Sequence, residues 1–110
     1  MEEKLVEMII KFRDDRGWKQ FHNPKDLAIS LSLEVAELLE IFQWSSSEEA
    51  LKKKMPKIKE ELADVFIYAV LFAESTGLNV GEIIMEKLSI NNEKYPIEKA
   101  FGKKEKYTEL

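Results

Sequence analysis

Residues 28–44 read AISLSLEVAELLEIFQW, and their only charges are Glu34, Glu37 and Glu40. The apolar side chains Leu31, Leu33, Val35, Leu38, Leu39, Ile41 and Phe42 fall nearly all round a helix, which predicts a largely buried one. A carboxylate in that setting must be paired, protonated or bound to metal, because an isolated buried charge is very costly. Glu34 and Glu37 are three residues apart and so share a helix face, whereas Glu40 drifts round towards solvent.

A second stretch repeats the arrangement. In EELADVFIY, residues 60–68, Glu61 and Asp64 are again three apart, and from Leu62 to Ala73 Asp64 is the sole charge. The neighbouring turns offer Asp64 only Glu60, Glu61, Ile67 and Tyr68, so its partner must come from outside the helix. If these helices pack antiparallel, as residues 45–55 between them permit, four carboxylates meet at one cavity and repel unless divalent cations neutralise them. All-oxygen ligation points to hard Mg²⁺, with Mn²⁺ possible. A carboxylate-bridged di-iron bundle uses Glu-x-x-His pairs, and no glutamate here has a histidine three residues on.

Composition agrees with a site built on carboxylates. The 110 residues include no cysteine and one histidine, which excludes disulfides, thiolate zinc, thiol nucleophiles and the H-E-x-x-H metalloprotease site. With 21 acids against 17 Lys and Arg the net charge is −4, which disfavours broad nucleic-acid binding. Lys52, Lys53, Lys54, Lys57 and Lys59 form the densest basic cluster, beside Glu48, Glu49, Glu60 and Glu61, and read as solvated surface. Four Gly and three Pro are too few for an all-β sandwich. The stretch from Met1 to Phe12 has a charge every few residues, unlike a signal or transit peptide, and a cytoplasmic protein is expected.

Punctuation predicts an all-α chain of about five helices in one domain over residues 1–110. A first helix carries Leu5, Met8, Ile9 and Phe12 and stops near Gly17. Asn23-Pro24 starts a second that runs to about Trp44, and Ser46 with Glu49 caps a short third. Pro56 opens a fourth that ends at Gly77, and Asn79 with Glu82 starts a fifth that stops before Pro96. Residues 97–110 read as a tail or lid. The second and fourth helices have more apolar circumference than one small chain can cover, so the core is expected to be completed by homo-oligomerisation, at least to a dimer.

These residues resemble the MazG-like all-α nucleoside triphosphate pyrophosphohydrolases, and within them the dCTP pyrophosphatase branch. Ser30 to Trp44 looks like the first motif and Glu60 to Tyr68 like the second, which together give an E-x-x-E and E-x-x-D signature. Gly17 to His22, Lys87 through Asn91 to Pro96, and Lys106 to Leu110 extend the likeness, which covers about residue 10 to the C-terminus. The resemblance implies Mg²⁺-dependent hydrolysis of a (deoxy)nucleoside triphosphate, dCTP or a related or modified pyrimidine, to the monophosphate and pyrophosphate. It makes Glu34, Glu37, Glu61 and Asp64 the catalytic metal-binding acids, and it implies dimers or tetramers. One of the four acids is expected to take the proton as well, with Glu37 our choice, although sequence does not separate a ligand from a base.

The same resemblance implies that His22, Trp44 and Tyr68, with Trp18 and Phe21 near them, form the nucleotide pocket. It makes Lys87 and Asn91, four apart on one helix face, phosphate and sugar contacts. Ordinary core packing is the competing role for the aromatics, and a solvated polar face for Lys87 and Asn91. Lys103, Lys104 and Lys106 are placed to close over phosphates if the tail is ordered. Two residues depart from the branch: Ala36 replaces a common glycine, and Asp26 stands where an uncharged or basic residue is usual. The second departure bears on substrate choice. The alternative from another class is a non-catalytic helical module whose acidic stripe binds metal or a basic partner.

Overall fold

The computed structural model describes residues 1–109; Leu110, the last residue of the motif at the C-terminus, lies outside the described residues. The regular elements among the described residues are all helical: six α-helices and two 3₁₀ turns. They form two compact units, Met1–Gly77 and the segment from Leu78 onward.

In the first unit, α1 (Glu3–Asp15) ends two residues before Gly17, which adopts φ 66° and turns the chain into a 3₁₀ turn at Trp18–Phe21. Next comes α2 (Pro24–Phe42), which starts as its sequence dictates. The Asn23 Oδ1 accepts from the Asp26 N–H at 2.9 Å, and Pro24 occupies the first turn where no N–H is missed. Ser46 likewise accepts from the Glu49 N–H at 3.2 Å and starts α3 (Ser47–Lys53), and α4 (Met55–Ser75) follows after one residue. The fourth helix therefore begins one residue before Pro56 and stops two short of Gly77, and the second stops two short of Trp44. Fraying at helix ends accounts for shifts of this size.

The main packing is α2 against α4, with α1 and α3 resting on α4. Leu27, Ile41, Ala50, Val70, Leu71 and Ala73 make the buried apolar core. That core is small, and the expectation of a largely buried second helix is corrected for the single chain: Leu33, Val35 and Leu39 stand exposed on α2, as do Leu62 and Phe66 on α4. A helix that is apolar nearly all round cannot be covered by neighbours on one side only.

In the second unit, Asn79 accepts from the Glu82 N–H at 3.0 Å and starts α5 (Val80–Lys94). The segment after Pro96 is not a bare tail. It forms α6 (Ile97–Ala100) and a 3₁₀ turn at Tyr107–Glu109. Tyr107 packs edge-to-face on Tyr95 with ring centroids 6.0 Å apart, and the Lys94 ammonium sits 4.7 Å above the Tyr107 ring. Sequence patterning missed this order because the segment is too short and too charged to show a periodicity. No single helix among the described residues is long and apolar enough to cross a membrane.

Candidate active site

Glu34 on α2 faces Glu61 and Asp64 on α4, and one carboxylate oxygen from each lies within 4.8 Å of the others. Nearer the C-terminus of α2, Glu37, Glu40 and Ile41 line a depression with Lys54, Lys57 and Glu61. Advancing along α2 thus means retreating along α4, so the two helices run antiparallel, as the sequence reading required. Glu61 is buried, and Glu34 and Asp64 are partly so. Glu37 is exposed and stands outside the tight triplet.

The cluster is short of positive charge. Lys57 Nζ donates to Glu61 Oε1 at 2.8 Å, which, with a smaller contribution from Glu37, holds the Glu61 carboxyl below its ordinary pKa. Glu37 is pushed the other way, to about 7, by its contact with Glu61 and then by the charge of Glu34. Two buried oxygens, Glu34 Oε2 and Glu61 Oε2, have no hydrogen-bond partner. Buried carboxylate oxygens are rarely left in this state, because desolvation is then uncompensated.

These residues fit a hard divalent cation. Oxygens on opposite sides of one Mg²⁺ lie about 4.2 Å apart, twice the usual Mg–O distance. The triplet is already gathered to nearly that span, and its orphaned oxygens are the donors such an ion takes.

Beside the cluster lies an apolar cavity of about 430 Å³, formed by α1, the Trp18–Phe21 turn and α4. Leu5, Met8, Ile9 and Phe12 from α1 meet Trp18, His22, Ile67, Tyr68 and Leu71 around it, and Asp64 reaches its wall. Asp64 therefore belongs to both the acid triplet and the cavity. Burial raises the Tyr68 pKa, with Glu34 and Asp64 adding to the effect, so the phenol remains a hydrogen-bond donor. Burial lowers the His22 pKa, Arg13 lowers it further, and Glu74 works against both. The His22 Nδ1 atom is buried without a partner. A mostly apolar cavity with a few inward polar groups is the usual form of a small-molecule site.

Sequence reasoning missed Arg13. It is 2% exposed, lines the cavity, and donates to Glu74 on α4 and to Asp14 at 2.9 Å. Burial opposes its charge, yet these two acids outweigh that and raise its pKa. A faint signal existed, since Arg13 falls four residues after Ile9 and continues the apolar stripe of α1. Its partner Glu74 is 61 residues away, beyond any local pattern.

Trp18, His22 and Tyr68 come together at the cavity. Phe21 and Trp44 do not line it, and Trp44 is 89% exposed. Lys87 and Asn91 sit on α5 in the second unit, one exposed and the other partly buried. The lysine run is exposed as expected, and within it Lys57 also pairs with a buried glutamate four residues on.

An all-helical fold that sets paired carboxylates of two antiparallel helices beside an apolar cavity defines the class to which the comparisons assign it. Residues 29–110 match the MazG-like family. Over 98% of its length the chain is 34% identical to dCTP pyrophosphatase 1 of Mus musculus, and equally so to that of Homo sapiens. It spans 66% of the length of these curated relatives. A pyrophosphatase from Archaeoglobus fulgidus has the same fold, with a TM-score of 0.80 and 45% identity over 86% of this chain and 91% of that one. The chain belongs to the MazG-like family.

Proposed function

We propose that the protein is a nucleoside triphosphate pyrophosphohydrolase that uses Mg²⁺, with Mn²⁺ as a substitute. It cleaves between the α- and β-phosphates of a (deoxy)nucleoside triphosphate and releases the monophosphate and pyrophosphate. The observation that carries this reading is Asp64, shared by the acid triplet and the apolar cavity, so that a base held in the cavity has its phosphates beside the carboxylates. The relatives, dCTP pyrophosphatase 1 and the archaeal pyrophosphatase, support the same reaction class, and the former favours dCTP or a related or modified pyrimidine.

Glu34, Glu61 and Asp64 would hold the cation, with Glu37 beside them. The bound ion would neutralise triphosphate charge and favour attack by water on the α-phosphorus. Glu37, exposed beside the triplet, is assigned the role of accepting the proton from that water. Trp18 and Tyr68 offer aromatic surface to the base, and His22 Nδ1 and the Tyr68 hydroxyl are the polar groups that orient it. Lys87 and Asn91 are assigned phosphate and sugar contacts from the family likeness.

The exposed apolar faces of α2 and α4, with Phe21 and Trp44, would be covered by a second copy, giving at least a dimer. Analytical ultracentrifugation showing a folded monomer at micromolar concentration would contradict that. For the reaction, the protein is incubated with Mg²⁺ and a panel of dNTPs, and monophosphate plus pyrophosphate is resolved from diphosphate plus phosphate. Turnover of no nucleotide would leave the acidic stripe as a binding surface only.

A further inference from the structure

Lys57 lies outside the acid signature yet makes the one ion pair to it among the described residues. Its side chain is 59% exposed while that of Glu61 is 6% exposed, so the ammonium reaches in from solvent. Helix preference accounts for the contact only weakly, because at this spacing the better order puts the glutamate first and here the lysine precedes it. The local excess of negative charge explains it: Glu61 is crowded by Glu34, Asp64 and Glu37. Lys54 and Lys57 line the same depression of about 600 Å³ as Glu37 and Glu61.

We propose that Lys57 is a tethered counter-ion, which holds Glu61 in the metal-free protein, gives it up when a divalent cation binds, and then serves with Lys54 as the seat of the departing pyrophosphate. The inference rests on the metal-dependent reading above. Lys57 holds Glu61 Oε1 while Oε2 is open to the cation, so an ion on the same carboxylate stands a few ångströms from the ammonium and repels it, and the ammonium, being the mobile and solvated one, is the group that moves. Its new position lies in a depression already lined by a second lysine, and lysine suits a polyphosphate as a compact, swivelling positive charge. Binding of the metal and readiness for the leaving group are thereby linked through one side chain.

The test uses K57Q and K57R of the full chain. Mn²⁺ binding without nucleotide is followed by the loss of the free-ion electron paramagnetic resonance signal, and inhibition by inorganic pyrophosphate is measured in parallel. Removing an exposed competitor of this kind tightens Mn²⁺ binding by about two- to fivefold in K57Q. Pyrophosphate inhibition weakens several-fold in K57Q, the thermal midpoint in EDTA falls, and that in saturating Mg²⁺ is unchanged. K57R, which keeps the charge, behaves as the parent in each assay. Mn²⁺ binding by K57Q equal to or weaker than the parent's overturns the counter-ion role, and unchanged pyrophosphate inhibition overturns the leaving-group role. If neither parent nor K57Q binds Mn²⁺, the metal-dependent reading itself falls.

Discussion

Arg13 and Glu61 are both buried charges in the first unit, and the fold treats them oppositely. Arg13 is held by two acids, so its charge is settled within the protein and it braces α1 against α4 at the cavity wall. Glu61 sits among three further carboxylates with one exposed lysine to answer them, and one of its oxygens is orphaned. A satisfied buried charge maintains shape. An unsatisfied one, in a cluster of like charges, is poised for a cation from outside.

Substitution at Asp64 should give the largest effect. Asp64→Asn is expected to lower kcat/KM by at least about 100-fold, since even the outer-shell partners of metal ligands cost 10–100-fold. Far-UV circular dichroism should show the helical content unchanged, because Asp64 makes no ion pair among the described residues.

Arg13→Met should show the reverse profile. Removing one member of a buried pair typically costs about 3–5 kcal/mol. The partial exposure of Glu74 reduces the expected loss to about 2–4 kcal/mol in urea denaturation. Added Mg²⁺ should not restore it selectively. A loss of metal binding with stability intact would break the contrast between the two buried charges.

Within the cavity, Tyr68→Phe should raise KM by about two- to tenfold with little change in kcat, the value of one hydrogen bond to a bound ligand. A fall in kcat alone would move Tyr68 from binding to chemistry.

The smallest effect is one of pH. In EDTA the folded-state pKa of Glu37, about 7, lies above its ordinary 4.5, so the folded state binds more protons than the unfolded between those values. Its contribution to stability is therefore complete below about 4.5 and is lost as the pH rises through 7. Thermal midpoints recorded across that window should decline with pH in EDTA. In Mg²⁺ the decline should be smaller, and calorimetry in buffers of different ionisation enthalpy should detect proton release on metal binding near pH 6.5.

Much of this is legible in the amino-acid sequence. Asn23, Ser46 and Asn79 announce helix starts through a side chain that reaches a backbone N–H three residues on, a purely local event. The two acid pairs stood out because carboxylates in apolar windows have no cheap explanation. The Lys57–Glu61 pair was also within reach of sequence, at four residues' spacing, but burial of only one partner gives it meaning and burial is not local. Phe21 and Trp44 show the converse, since their aromatic character does not reveal which face they occupy.

The amino-acid sequence by itself determined an all-helical chain, the ends of its long helices and the four acids, because caps, periodicity and unneutralised charge act over a few residues. Tertiary structure alone decided that Arg13 would meet Glu74, that Asp64 would serve both cluster and cavity, and that the oxygens of Glu34 and Glu61 would be left without partners. Those outcomes depend on how α1, α2 and α4 pack. The electrostatic cost or gain of a charge is set by everything brought around it in space, whatever its distance along the chain.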